Sequence, residues 1–341
     1  NWSQMFLKIQ NQIKLALITM AFCLGGCSSI ASYKLSNPPS STNYRQLGQT
    51  VTAVKFDENP HSTVTFQSKN VCLQGSKTCI NYLYGERFQK KTSDENFIKM
   101  TLKSTTEVVE FSKKYNEFEQ FSGTIVLLHG YGANKEAMVP SGVYFRALGF
   151  DVIIPDLAGH GQSTQKIDFG VYEHKNIIGL LDRVTEKAYP EKPIILVGHS
   201  MGALVAINSQ LESDSITAVI LMAPMESLDL AAWRAFKSSN PIISRMIGKA
   251  AISDGARSSL NKIGSKLSDT MIARKIEISK KPVLIIASSS DNISPRNKWS
   301  NIDRQNINVL ELINRTHESL ALISDSEGND IIKWLKQILE K

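Results

Sequence analysis

Gly198-His199-Ser200-Met201-Gly202 lies between an apolar run, Ile194-Ile195-Leu196-Val197, and a run of helical character, Ala203-Leu204-Val205-Ala206-Ile207. A strand that turns sharply into a helix at a G-x-S-x-G pentapeptide is a nucleophile elbow. The turn exposes the serine hydroxyl, and the small flanking glycines let the crowded backbone form. A hydroxyl is a poor nucleophile until a neighbouring base takes its proton. Ser200 is therefore the candidate nucleophile, and its base is to be sought elsewhere in the chain.

Working outward, Thr124-Ile125-Val126-Leu127-Leu128 reads as a buried strand running into His129-Gly130-Tyr131-Gly132. Val152-Ile153-Ile154-Pro155-Asp156 does the same into Gly159-His160-Gly161-Gln162-Ser163. Downstream, Ala218-Val219-Ile220-Leu221-Met222 and Pro282-Val283-Leu284-Ile285-Ile286 are two further apolar runs of strand length. Helical segments separate most of them, the alternation that builds a mostly parallel central sheet flanked by helices. The fold class is α/β.

With H-G-Y-G, G-H-G-x-S, G-H-S-M-G and Thr316-His317-Glu318 in this order, the chain resembles the α/β-hydrolase superfamily, within it the monoacylglycerol lipase and lysophospholipase-like branch. The likeness covers about residues 95 to 341. It implies a triad in the chain order Ser, acid, His, so the partners of Ser200 are expected after it. Of the six histidines, His61 lies in a polar N-terminal region, and His129, His160, His174 and His199 precede the nucleophile. His317 alone follows it, in a short polar turn after Asn308-Val309-Leu310-Glu311-Leu312, and is the expected general base.

Asp291 is the expected acid, placed to accept the hydrogen bond of the other ring nitrogen. It follows the strand 283–287 through Ser288-Ser289-Ser290 and matches the family's strand-end aspartate, with serine where a glycine often precedes it. Glu226 and Asp229, one strand earlier, are the alternatives. By the same resemblance, the backbone N–H groups of Met201 and Tyr131 form the oxyanion hole. The Tyr131 ring has a second reading as a packed turn residue. His129, Asp156, His160 and Ser163 are expected to brace loops.

More than fifty residues separate Pro224 from Pro282, too many for a simple helix-to-strand connection and too apolar for a disordered one. Residues 225–281 are expected to form a helical cap. Trp233 with Phe236, and Ile243 with Met246 and Ile247, have the spacing of apolar helix faces that would roof an acyl pocket. The insert carries eleven Lys or Arg against five Asp or Glu, within a chain of net charge +7. A basic, amphipathic lid suits anionic lipid head groups, and a solvated helix face is the plainer reading. The basic residues form no contiguous run and accompany no nucleic-acid motif, so no nucleic-acid partner is expected.

At the N-terminus, Lys8 and Lys14 precede an apolar run, Leu15 to Gly26, long enough for a signal-peptide core and short for a bilayer span. Leu24-Gly25-Gly26-Cys27 resembles a bacterial lipobox, which implies cleavage before Cys27 and its lipidation. Ser28 in the next position implies the outer membrane of a Gram-negative envelope. Met5 is the expected start. An ordinary cleaved signal with a chance cysteine is the competing reading.

The expected organisation is thus a lipoprotein signal over 1–26, a lipidated Ser-, Asn- and Pro-rich tether over 27–48, an N-terminal extension with strands over 49–94, an α/β-hydrolase core over 95–224 and 282–341, and the cap. Cys23 falls in the signal. Cys72 and Cys79, with six residues between them, are candidates for a hairpin disulfide in an exported protein, or for two free buried thiols. No metal-ligand spacing or dinucleotide fingerprint is present, and no cofactor is expected.

The function expected is a serine hydrolase of carboxylic esters: a monoacylglycerol lipase, lysophospholipase or carboxylesterase. The same scaffold hosts serine peptidases, thioesterases and acyltransferases. A noncatalytic envelope lipoprotein that uses the fold as a binding module is the alternative of a different class.

Overall fold

The structure is a computed structural model that describes residues 27–38, 51–57, 66–73, 78–88, 97–104, 108–114, 121–185, 192–299, 302 and 304–340. The signal segment 1–26, the tether beyond residue 38 and His61 lie outside them. No helix among the described residues is long and apolar enough to cross a membrane.

Each apolar run becomes a strand. These are β6 (Thr124–Leu128), β7 (Asp151–Pro155), β8 (Ile194–His199), β9 (Ile216–Met222), β10 (Val283–Ser288) and β11 (Ile307–Leu312). They are mutually parallel in the order β11-β10-β9-β8-β6-β7. The reason they read as unbroken apolar runs is that both faces are covered. In β8, Ile194 and Leu196 enter one buried cluster while Ile195 and Val197 enter the other, and β6, β9 and β10 divide in the same alternating way. On one face pack α3 (Glu173–Thr185), α4 (Met201–Glu212) and α7 (Ile272–Ile278). The other face carries α2 (Val139–Ala147) and α8 (Asp325–Leu339). This is the α/β-hydrolase fold.

The sheet is wider than the motifs imply. β2 (Gln67–Cys72) and β3 (Cys79–Gly85) form a hairpin that adds two antiparallel strands beyond β7. The core therefore takes in residues assigned above to the N-terminal extension. β2 is the exposed edge, and its polar Gln67-Ser68-Lys69-Asn70 face blunts it against further pairing. Cys72 and Cys79 sit opposite each other in register and are disulfide-bonded. Conversely, β4 (Phe97–Ser104) and β5 (Val108–Lys114), placed above in the core, form a separate antiparallel sheet with β1 (Val51–Asp57), in the order β1-β4-β5. That sheet joins the core through β5, whose Phe111 meets the Tyr144 ring edge-on.

Of residues 225–281, α5 (Leu228–Ser239) and α6 (Pro241–Lys262) form the cap, whereas α7, placed above in the cap, packs on the core sheet through Ile272 and Ile276. Within α6, Gly248 at φ 75° interrupts the helix, a conformation that glycine adopts without the steric cost a side chain brings. Residues 27–36 form α1, which packs on α6. This corrects the tether reading for those ten positions. The small residues that suggested a flexible linker are the ones that let two helices approach: Ala31 lies against Gly255, and Ser259 donates to the Ser32 carbonyl at 3.1 Å.

Candidate active site

Ser200 stands at the turn from β8 into α4 with φ 53° and ψ −112°, a strained conformation held by its surroundings. Its N–H donates to the Met222 carbonyl at 2.9 Å, fixing the elbow on β9. The glycines are sterically required. A Cβ on Gly198 would stand 2.2 Å from the Gly202 carbonyl oxygen, and one on Gly202 would stand 2.2 Å from that of Leu128.

His317 comes from the turn after β11 and Asp291 from the loop after β10. His317 Nε2 lies 2.9 Å from Ser200 Oγ, and its Nδ1 lies 2.8 Å from Asp291 Oδ2. A carboxylate only accepts, so Nδ1 carries the proton and Nε2 is free to accept the serine hydroxyl. All three side chains are buried. Burial alone would push the Asp291 carboxyl up. The hydrogen bond and charge of His317, with the N–H groups of Ser294 and Ile293, outweigh it and hold the group below the usual carboxylate range.

The alternative acids are engaged elsewhere. Glu226 pairs with Arg234 at 2.8 Å and Lys298 at 3.5 Å, and Asp229 accepts from Ser227 and Ser253.

The loop after β6 presses on the nucleophile: a Cβ on Gly130 would lie 3.3 Å from Ser200 Cβ. Met201 begins α4, where helix N–H groups lack intrahelical acceptors. Met201 follows Ser200 in the chain, and Tyr131 lines the same cavity. The Tyr131 ring does more than fill a turn. Its hydroxyl donates toward the Lys34 and Leu35 carbonyls of α1, at 3.0 and 3.2 Å, and burial pushes it up to about 12.

The loop-bracing residues form one network. Asp156 accepts from the Lys135 ammonium at 2.5 Å and from the N–H groups of Lys135 and Gln162. His129 accepts the Leu157 N–H, and His160 accepts that of Gly132, both at 3.0 Å. Burial, with the nearby His129, pulls His160 down to about 3, so it stays neutral and able to accept. The Ser163 N–H closes a turn onto the His160 carbonyl. Lys135 was not singled out in the sequence, because only the structure shows the buried carboxylate it neutralises. His199 carries a further contact: its Nε2 donates to the His317 carbonyl at 2.7 Å, tying the elbow to the loop of the base.

That loop has its own anchor. Arg315 pairs with Glu327 at 2.7 Å and donates to the Ser319 and Leu322 carbonyls, all buried. Burial would raise the Glu327 carboxyl, but the Arg315 charge and the Ser324 and Ser326 hydroxyls outweigh it and lower the group. A depressed native pKa stabilises the fold above the unfolded value, and the contribution disappears as pH falls through the native one. Glu327→Gln is expected to cost about 3–5 kcal/mol at pH 7, because it removes the carboxylate that faces a buried guanidinium. Urea unfolding checks this. The gap between wild type and variant should close on acidification below the ordinary glutamate range. A gap that persists unchanged would mean the pair contributes nothing through its charge.

Ser200 and His317 open onto an apolar cavity of about 440 Å³, a volume in the range of small-molecule sites. Phe236 and Ile247 of the cap line it, as their spacing predicts. Ile243 and Met246 do not: they are 48 and 84 % exposed, on the part of α6 preceding the Gly248 break. Trp233 is also absent from the lining. Among the described residues no group of three or more His, Cys, Asp or Glu side chains is arranged to hold a metal.

Residues 119–270 match the family model described as serine aminopeptidase, S33. A monoglyceride lipase homolog of monkeypox virus is 31 % identical over 110 residues, 31 % of this chain and 39 % of that one. Phospholipase YtpA of Bacillus subtilis is 28 % identical over 165 residues, 45 % of this chain and 62 % of that one. The chain thus spans less than two thirds of either relative. Among solved structures, the esterase Pf2001 of Pyrococcus furiosus superposes with a TM-score of 0.58 at 18 % identity, over 90 % of this chain and 99 % of that one. Est1E of Butyrivibrio proteoclasticus does so with a TM-score of 0.53 at 15 % identity, over 80 % of this chain and all of that one. The chain thus has the α/β-hydrolase fold and, over part of its length, is similar in sequence to lipase- and phospholipase-type hydrolases.

Proposed function

We propose that the protein is a serine hydrolase of carboxylic esters with an apolar acyl group, acting through an acyl-enzyme on Ser200. The observation that carries this reading is the hydrogen-bonded line from Asp291 through His317 to Ser200 at an apolar cavity. His317 Nε2 takes the proton of Ser200 Oγ as the oxygen attacks the ester carbonyl carbon. The N–H groups of Met201 and Tyr131 receive the negative charge that develops on the carbonyl oxygen. The imidazolium then protonates the departing alcohol, and water releases the acid by the same route in reverse. Asp291 stays ionised throughout and holds the ring.

An apolar cavity, with relatives named for monoglyceride and phospholipid hydrolysis, supports single-chain lipid esters such as monoacylglycerols or lysophospholipids as substrates. It supports peptides less, since amide recognition calls for polar groups along the site. Attachment to the outer membrane through a lipid on Cys27 is part of the proposal and rests on the lipobox-like 24–27 segment.

Treatment with a fluorophosphonate is expected to place one phosphonyl group on Ser200, read by peptide mass spectrometry. Spectra of protein recovered from bacterial membranes should also show a diacylglyceryl group on Cys27. A folded protein with Ser200 unlabelled would return the chain to the binding-module reading. An unmodified Cys27 would leave a hydrolase without this anchor.

A further inference from the structure

Helix α1 is built into the cavity that holds Ser200. Cys27, Ile30, Ala31, Lys34 and Leu35 all line it, and their spacing, i, i+3, i+4, i+7 and i+8, is that of one helix face. The opposite wall belongs to the cap, with Phe236, Ile247 and Ile252.

The helix is fastened on two sides. Toward the cap, Ala31 packs on Gly255 so closely that a Cβ there would stand 2.6 Å from the alanine methyl. Ser259 Oγ lies 3.0 Å from Ser32 Oγ, and Lys262 Nζ donates to that same hydroxyl at 2.9 Å. Toward the core, the Tyr131 hydroxyl donates to the Lys34 and Leu35 carbonyls of the last turn, the first of which also accepts the Asn37 N–H at 3.3 Å. One residue therefore offers its backbone N–H to the proposed oxyanion hole and its side chain to the far wall of the cavity.

We propose that α1 is the specificity wall of this site, and that its inward face, Leu35 above all, sets the acyl chain length that Ser200 accepts. The inference rests on the ester-hydrolase reading. A substrate chain that meets a fastened wall cannot displace it without breaking the contacts to Tyr131, Ser259 and Lys262. The volume left by Leu35 is then a limit on the chain, and a change in it alters discrimination between homologous acyl groups. One methylene too many or too few in an apolar pocket changes kcat/KM by about 10- to 200-fold.

The experiment measures kcat/KM for p-nitrophenyl butyrate, octanoate, dodecanoate and hexadecanoate with the full chain, so that only the acyl group varies. Leu35→Trp is expected to lower the ratio of the longest accepted ester to butyrate by at least about tenfold. Leu35→Ala should move the optimum to a longer chain. Because a tryptophan there could prise α1 away, Ser32→Cys with Ser259→Cys provides a second reading, a disulfide that locks α1 to α6. The locked protein should keep the wild-type chain-length profile. Lost activity that returns on reduction, measured beside wild type in the same reductant, would make α1 a lid that must leave and overturn the wall. A profile identical in wild type and both Leu35 variants would overturn it too, with ester hydrolysis intact. A wild type that hydrolyses none of the four esters would instead remove the reading of the site on which the inference stands.

Discussion

Ser200→Ala is expected to lower kcat on p-nitrophenyl butyrate by about five to six orders of magnitude, with the fold unchanged. The substitution removes one oxygen from a turn whose geometry does not depend on it: the elbow is held by the Ser200 N–H to Met222 and by the close fit of Gly198 and Gly202. Alanine carries the same positive-φ burden as serine, so the strain is unaltered. What disappears is the oxygen that stands 2.9 Å from His317 Nε2 and forms the acyl-enzyme. Residual turnover should remain measurable, about 10³-fold over water, because the oxyanion donors and the cavity persist. The check pairs stopped assays with thermal unfolding. A stable Ser200→Ala protein that retains more than about 1 % of wild-type kcat would show that water attacks the ester directly and that no acyl-enzyme is needed.

The elements that carry this chemistry were legible because their constraints are local. A fully buried parallel strand must be apolar on both faces, so β6 and β8 to β10 announce themselves as runs. An elbow must have glycines where backbone meets backbone. His317 was found by chain order alone, with no other histidine after Ser200. The parts that escaped depend on partners distant in sequence. Nothing in Cys27 to Leu35 says that its serines and alanine are helix-packing residues until Gly255 and Ser259 are seen opposite them. β2 and β3 look like any polar hairpin, and only pairing with β7 makes them part of the main sheet. Ile243 and Met246 have the spacing of a buried stripe, but the inward face of that turn is made by Ser244 and Ile247, which leaves them outside. Arg315 and Glu327 are ordinary charges in the sequence and a buried pair in the fold.

Asp291→Asn carries the second large effect, an expected fall in kcat of about 10⁴-fold, and the structure says why an amide cannot substitute. Asp291 Oδ1 accepts the N–H groups of Ile293 and Ser294 at 2.7 and 2.8 Å, while Oδ2 faces His317. In asparagine the carbonyl oxygen must take the first position, since an NH₂ there would oppose two donors. The NH₂ is then turned toward His317 Nδ1, which has to become the acceptor. The ring proton moves to Nε2, and a protonated Nε2 donates to Ser200 instead of accepting from it. The base is lost although every residue stays in place. Nitrogen-15 NMR of the histidine rings should show this exchange of the protonated nitrogen at His317, which loss of packing would not produce. Glu226→Gln and Asp229→Asn, whose carboxylates are held by Arg234 and by Ser227 and Ser253, should stay within about tenfold of wild type. Should Asp291→Asn lose less than tenfold while one of those two loses 10³-fold or more, the orienting acid would lie between β9 and the first turn of α5, and the Asp291 contact would be a brace for the turn.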